Sequence, residues 1–170
     1  MTFLNSMPFD RLLWLVPVFL TIHNIEEAPF MERWYKRLPV KLPLTITTRQ
    51  FVFAVTFLTL AGFIITYVGV EYFGNPTGYL LILGMQSILL FNAFIPHIAT
   101  TLRFRMYSPG VITAVLLILP FSFYLFRRAF AENILTWTQF WTMLGIAPFA
   151  VVIIALISLQ IGKAFDKNPV

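Results

Sequence analysis

Cysteine is absent from all 170 residues. That excludes a disulfide framework and any thiolate metal site. A metal in this chain has only imidazole, carboxylate, amide or hydroxyl ligands to choose from. Charge is scarce as well: Asp, Glu, Lys and Arg make up 11% of the residues, where an ordinary soluble domain carries about 25%. No internal repeat, linker or low-complexity segment divides the chain, so it reads as one domain over 1–170. The net charge of +5 does not amount to a nucleic-acid surface. Few of its basic residues lie far from the end of an apolar run, where loop charges that orient a membrane protein belong.

What the chain has in quantity is apolar length. Hydrophobic residues reach 59% and mean hydropathy is +0.82. Five runs approach the ~20 residues that a helix needs to cross about 30 Å of hydrocarbon. They lie at about 9–30, 51–72, 79–102, 111–126 and 140–161. The expected fold is therefore all-α, a polytopic membrane helical bundle of about five transmembrane helices. The fourth span is the shortest because Pro120 interrupts it, although proline is tolerated in a span when neighbours satisfy the freed backbone groups. The first run lacks the basic start and the small-residue cleavage site of a signal peptide, so it is read as a retained span.

Lys and Arg near the span ends are unevenly divided. Arg33, Lys36, Arg37, Lys41, Arg49, Arg103, Arg105, Lys163 and Lys167 fall on one side, against Arg11, Arg127 and Arg128 on the other. The positive-inside rule then puts the N-terminus outside and the C-terminus in the cytoplasm. Tyr72, Tyr79, Trp137 and Trp141 mark the outer interface, and Trp34, Tyr35 and Tyr107 the inner one.

Against this background the first span ends on "HNIEE". His23, Glu26 and Glu27 are three and four apart and share one face of a helix. A charged residue at mid-bilayer costs about 2.5–3.5 kcal/mol on insertion scales, so two carboxylates there call for a cation, a proton or water. The third span carries a matching set in "QSILLFNAFIPHIATT": Gln86, Asn92, His97, Thr100 and Thr101. Counted inward from Arg33 and Arg103, Glu27 and His97 each lie six residues deep, roughly 9 Å at the helical rise. His23 and Asn92 lie ten and eleven deep, roughly 15–16 Å. Asn92 and His97 are five apart, about 140° around a regular helix, and meet only if the helix is distorted, for which Pro96 supplies a cause.

Two imidazoles with two carboxylates suit a divalent metal, zinc first, with iron or manganese as other choices. In this reading His23, Glu27 and His97 are the ligands. Glu26 and Glu27 are the catalytic carboxylates, one of them serving as proton-transfer base, with Asn92 as a supporting polar group. Three ligands leave an open position that activates water or polarises a carbonyl.

The residues resemble a family at this point. "HNIEE" at the end of a first apolar span, "NAFIPH" in a middle span and "YSPG" opening the next are similar to the HXXEE-domain family of bacterial integral membrane proteins. The resemblance covers most of the chain. It implies that His23, Glu26 and Glu27 are signature positions, with Asn92, His97 and the turn at 107–110 as companions, and it supplies no reaction. A looser likeness joins the paired glutamates to the intramembrane proteases that process prenylated C-termini. The arginine those enzymes carry after the pair has no counterpart here at that spacing.

The leading expectation is a metal-dependent membrane hydrolase acting on a lipid-like or membrane-embedded substrate near the cytoplasmic side, with membrane lipid as its surroundings and no nucleic-acid partner. Two alternatives stand beside it. One is a proton- or cation-coupled carrier or permease subunit, which with five spans and no repeat needs a homo-oligomer. The other is a metal-free acid–base enzyme working on a lipid, in which glutamates sharing a dry site serve as acid and base. The plainest reading of all leaves Glu26 and Glu27 as interfacial anchors paired with Arg33, Lys36 or Arg37. Alone, His97 suits hydrogen-bonded packing as well as ligation, Asn92 and Gln86 suit helix–helix bonding, and Thr100 and Thr101 back-bonding to their own helix.

Overall fold

The computed structural model describes residues 5–40 and 46–165. Lys41 and Lys167, used above in the charge count, lie outside them. Among the described residues the secondary structure is helical, with no strand. Helix α1 covers 9–27 as two segments, Phe9–Leu13 and Leu15–Glu27. The break at Trp14 sits where Pro17 leaves the Leu13 carbonyl without its usual donor. A short helix α2, Met31–Arg37, follows. Four long helices come next: α3 (Thr48–Phe73), α4 (Thr77–Phe104), α5 (Val111–Ala131) and α6 (Trp137–Phe165). Each of these four is long and apolar enough to cross a membrane. The chain is thus a helical membrane bundle. The first apolar run, expected over 9–30, ends its helix at Glu27 and turns before α2.

Local chemistry explains the helix ends. Thr47 and Gln50 form a reciprocal capping box at the start of α3, each side chain accepting the other's backbone N–H. Thr136 and Gln139 do the same at α6. Helix α5 runs to Ala131, past the expected end at 126, because Arg128 is provided for: its guanidinium donates to Tyr124, to the Met7 carbonyl and to Glu132. A long basic side chain can then stay in the helix while its charged head reaches polar partners.

Two proline-bearing helices are distorted in the same way. Ala93–Ala99 in α4, containing Pro96, and Ala114–Ile118 in α5, just before Pro120, are π-helical. A proline cannot donate to the carbonyl four residues back, and a π-turn absorbs the mismatch by bonding i to i+5. The Pro96 carbonyl is taken up by the Thr100 and Ser108 hydroxyls.

The core lies between α1, α4 and α5, built on Leu12, Leu13, Val16, Ile82, Leu83, Ile118 and Leu125. Elsewhere large apolar side chains point outward, among them Leu60, Ile64, Leu116 and Phe149. In water such a surface would be costly; against acyl chains it is not. Backbones approach closely where side chains vanish. A Cβ on Gly78 would run into the Gly69 backbone, so this pair clamps the ends of α3 and α4 together.

Candidate functional site

At one end of the core, the C-terminal part of α1, the π-segment of α4 and the start of α5 converge. His23 and His97 are both buried, at 2% and 1% exposure. Their Nε2 atoms face each other at 3.2 Å, with the rings nearly perpendicular at 85°. The Asn92 amide nitrogen lies 3.0 Å from His97 Nε2 and 3.4 Å from His23 Nε2. The π-turn is what makes this geometry available: residues five apart on α4 come into one row, so Asn92 and His97 meet where a regular helix would part them. Glu27, with its side chain 12% exposed, brings Oε1 to 3.8 Å from His97 Nε2. Ligand atoms of His23, Glu27 and His97 all fall within 4.8 Å of one another.

Glu26 behaves differently from Glu27. Its Oε1 accepts from the Tyr107 hydroxyl at 2.6 Å and the Ile112 N–H at 3.2 Å. Its Oε2 accepts from the Thr113 N–H at 2.8 Å and the Thr113 hydroxyl at 2.6 Å. Helix α5 begins after Gly110 and has no side-chain cap of its own, so Glu26 caps it from another helix. A carboxylate at a helix N-terminus satisfies orphan N–H groups and complements the dipole. The side chains of Glu26 and Glu27, neighbours on α1, thus diverge. Among the described residues neither pairs with Arg33, Lys36 or Arg37, and Lys36 pairs with Glu32 instead.

These bonds assign the histidine tautomers. The Thr113 hydroxyl has one proton, and the carboxylate at 2.6 Å takes it. Its oxygen is then the acceptor for His23 Nδ1, 2.8 Å away, so Nδ1 carries the proton and Nε2 keeps its lone pair. The backbone of Pro109 lies against the His97 ring and, lacking an N–H, offers only a carbonyl. The buried Nδ1 of His97 still lacks a well-formed hydrogen bond among the described residues. With the His97 proton on Nδ1, toward the Pro109 carbonyl, two Nε2 lone pairs converge and the Asn92 amide is their donor.

Gly110 makes room for them. Its φ is +89°, and a Cβ there would stand 2.7 Å from His23 Cε1 and 2.9 Å from His97 Cε1. Tyr107 holds the same turn down from the other side. Burial, then its bond to Glu26, pushes its hydroxyl up to about 12, so it remains a donor at neutral pH.

The donor set fits a metal. Two ligands at ~2.0–2.1 Å with a tetrahedral angle between them stand about 3.3 Å apart, close to the 3.2 Å between the two Nε2 atoms. The Glu26–Thr113–His23 chain has the form of the carboxylate relay that orients metal-bound histidines. Sequence reasoning singled out His23, Glu26, Glu27, Asn92 and His97, all of which lie here, but Thr113 was missed. A signal existed: "SPGVIT" opens a helix with no acidic or hydroxyl cap, so the acceptor for its first N–H groups had to come from elsewhere. Gln86 stands apart, donating to Ser122 in the core.

A bundle of apolar helices around a buried His/Glu cluster is the class of protein the fold defines. Comparison with known proteins gives the family. Residues 14–125 match the model described as a protein of unknown function with HXXEE motif, and the chain belongs to that family. It is similar to the uncharacterized protein YrkK of Bacillus subtilis (strain 168), 26% identical over 148 residues, 87% of this chain and 91% of that protein. No solved structure matches it.

Proposed function

We propose that this protein is a metal-dependent membrane enzyme of hydrolase type that acts on a lipid-like substrate. The observation that carries the reading is the convergence of His23 Nε2 and His97 Nε2 at 3.2 Å beside Glu27. These three residues would hold a divalent cation, with zinc the first choice for two imidazoles and a carboxylate. When bound, it would supply Lewis-acid chemistry: polarising a carbonyl and easing loss of a proton from water. Glu27 is not held by a hydrogen bond among the described residues, so its second oxygen is available to take that proton. Glu26 has all its acceptor capacity committed to Tyr107, Ile112 and Thr113. We therefore assign it to orienting His23 and not to acid–base work. With both Nε2 lone pairs on the cation, the Asn92 amide would be released to orient the substrate carbonyl.

The excess of Lys and Arg beside Glu27 and His97 supports a cytoplasmic location for this end in the inner membrane, with the N-terminus outside. Metal analysis of the purified protein tests the centre. About one zinc, iron or manganese per chain is expected, lost in His23→Ala and in His97→Ala. A wild-type protein that binds none of these after incubation and dialysis would leave the metal-free acid–base reading in its place.

A further inference from the structure

A second feature opens on the same histidine from the opposite side. Helices α1, α3, α4 and α6 line a half-open cavity of about 500 Å³. Its polar groups are gathered at one end, where His23, Asn24 and Asn92 stand, and no Lys, Arg, Asp or Glu lines it. The Asn24 amide nitrogen donates to Thr59 and the Val55 carbonyl, and the Asn92 amide nitrogen stands against the two histidine Nε2 atoms.

From Asn92 the wall continues along α4 to Leu80, twelve residues and roughly 18 Å at the helical rise. The lumen owes its width to small residues. Gly84 lies midway along that wall, and a Cβ on it would meet nothing within 4 Å. Ala61, Gly62 and Ala147 thin the facing walls.

The shape is that of an amphiphile with one slim tail. A chain advancing about 1.25 Å per carbon, from C–C bonds of ~1.5 Å, fills that length with about 14 carbons. A phosphate head would find no cation in the lining, whereas a carbonyl can take an Asn92 N–H once the histidine lone pairs that face it are otherwise engaged. We propose that this cavity binds a single fatty acyl chain, with its carbonyl head at Asn92 and His23 and its tail running past Gly84. The inference rests on the reading of the His/Glu cluster as the reacting centre for its biological meaning. The tail site itself needs no metal: of the three proposed ligands only His23 lines the cavity, at its head end.

The test is photolabelling of the purified full chain in detergent with palmitic acid carrying a mid-chain diazirine, the labelled peptides being mapped by mass spectrometry. Labelling is expected on the stretches around Gly84 and Ala147. Excess palmitic acid should reduce it at least tenfold, and octanoic acid much less. Gly84→Phe should abolish it by filling the lumen. Gly145→Phe, at another glycine with open space around it but outside the cavity, should leave it intact. The competition series uses the unmodified chain, so it decides even if Gly84→Phe does not fold. Labelling spread over outward-facing residues such as Leu116 and Phe149, unaffected by competitor, overturns the proposal. Competed labelling in a protein that takes up no metal leaves the tail site standing and removes only the metal reading; metal uptake with diffuse labelling does the reverse.

Discussion

The Nε2 atoms of His23 and His97 stand 3.2 Å apart across 74 positions of sequence. Two imidazoles brought this close with their lone pairs converging repel each other unless something electron-poor lies between or beside them. The Asn92 amide supplies part of that need. A proton or a metal ion would supply the rest.

Thr113→Val removes the hydroxyl that links Glu26 to His23 while keeping the shape of the side chain. His23 Nδ1 loses its acceptor, and the tautomer with Nε2 free is no longer favoured. Metal affinity should fall about 10–100-fold, as for outer-shell partners of other metal-bound histidines. Competition with a chelator reads this directly. An unchanged affinity would show that His23 is oriented by packing alone.

Gly110→Ala should be far more damaging than its size suggests. A left-handed φ costs a non-glycine residue about 1–2 kcal/mol, and the new methyl would press on both imidazoles. Metal content and thermal stability should drop together. At Gly145, whose surroundings are open, the same substitution should leave both unchanged.

Pro96→Ala restores a backbone N–H in the π-segment of α4. The regular i→i+4 pattern becomes available, and relaxation toward it would turn His97 away from Asn92. Helix content should hold or rise while metal affinity falls. Retained affinity would mean that packing, and not the missing N–H, maintains the π-turn.

Glu32 carries a pH dependence outside the spans. It accepts from Lys36 Nζ and from the Thr48 N–H and hydroxyl, tying α2 to the start of α3. The Lys36 hydrogen bond, then those from Thr48, bring its carboxyl down from 4.5 to about 2. A lowered folded value means that the stabilisation is fully present above about 4.5 and is lost as pH falls through about 2. A carbon-13 NMR titration assigned with Glu32→Gln should give a midpoint near 2. An ordinary midpoint near 4.5 would show that these bonds do not hold the carboxylate in solution.

Absence of cysteine makes orientation simple to test. Single cysteines at Asn75, between α3 and α4, and at Met106, between α4 and α5, should react oppositely with a membrane-impermeant maleimide on intact cells. The charge distribution expects Asn75 to be labelled and Met106 to be protected; the reverse pattern would invert the assignment.

Much of this molecule was legible in advance, for identifiable reasons. Hydropathy is a local property, so the four long helices could be drawn from composition and run length. The depth of Glu27 and His97 followed from counting along a rod of fixed rise, and the structure brings both to one end of the core. The misjudged details were non-local. The helix of the first run stops at Glu27, and α5 passes 126 because Tyr124, Met7 and Glu132 serve Arg128. Pro96 pointed to a distortion, but a proline alone does not say whether the helix will kink or widen.

By itself the sequence determined that the chain is a bundle of apolar helices and marked His23, Glu26, Glu27, Asn92 and His97 as the candidates for its polar centre. It did so because the expense of charge in hydrocarbon leaves few residues to consider. Only the tertiary structure decided that adjacent glutamates have separate tasks: Glu26 is drawn to the bare N-terminus of α5, and Glu27 turns to the histidines. That division depends on which unsatisfied backbone groups end up beside which carboxylate, and such proximity is set by how the helices pack.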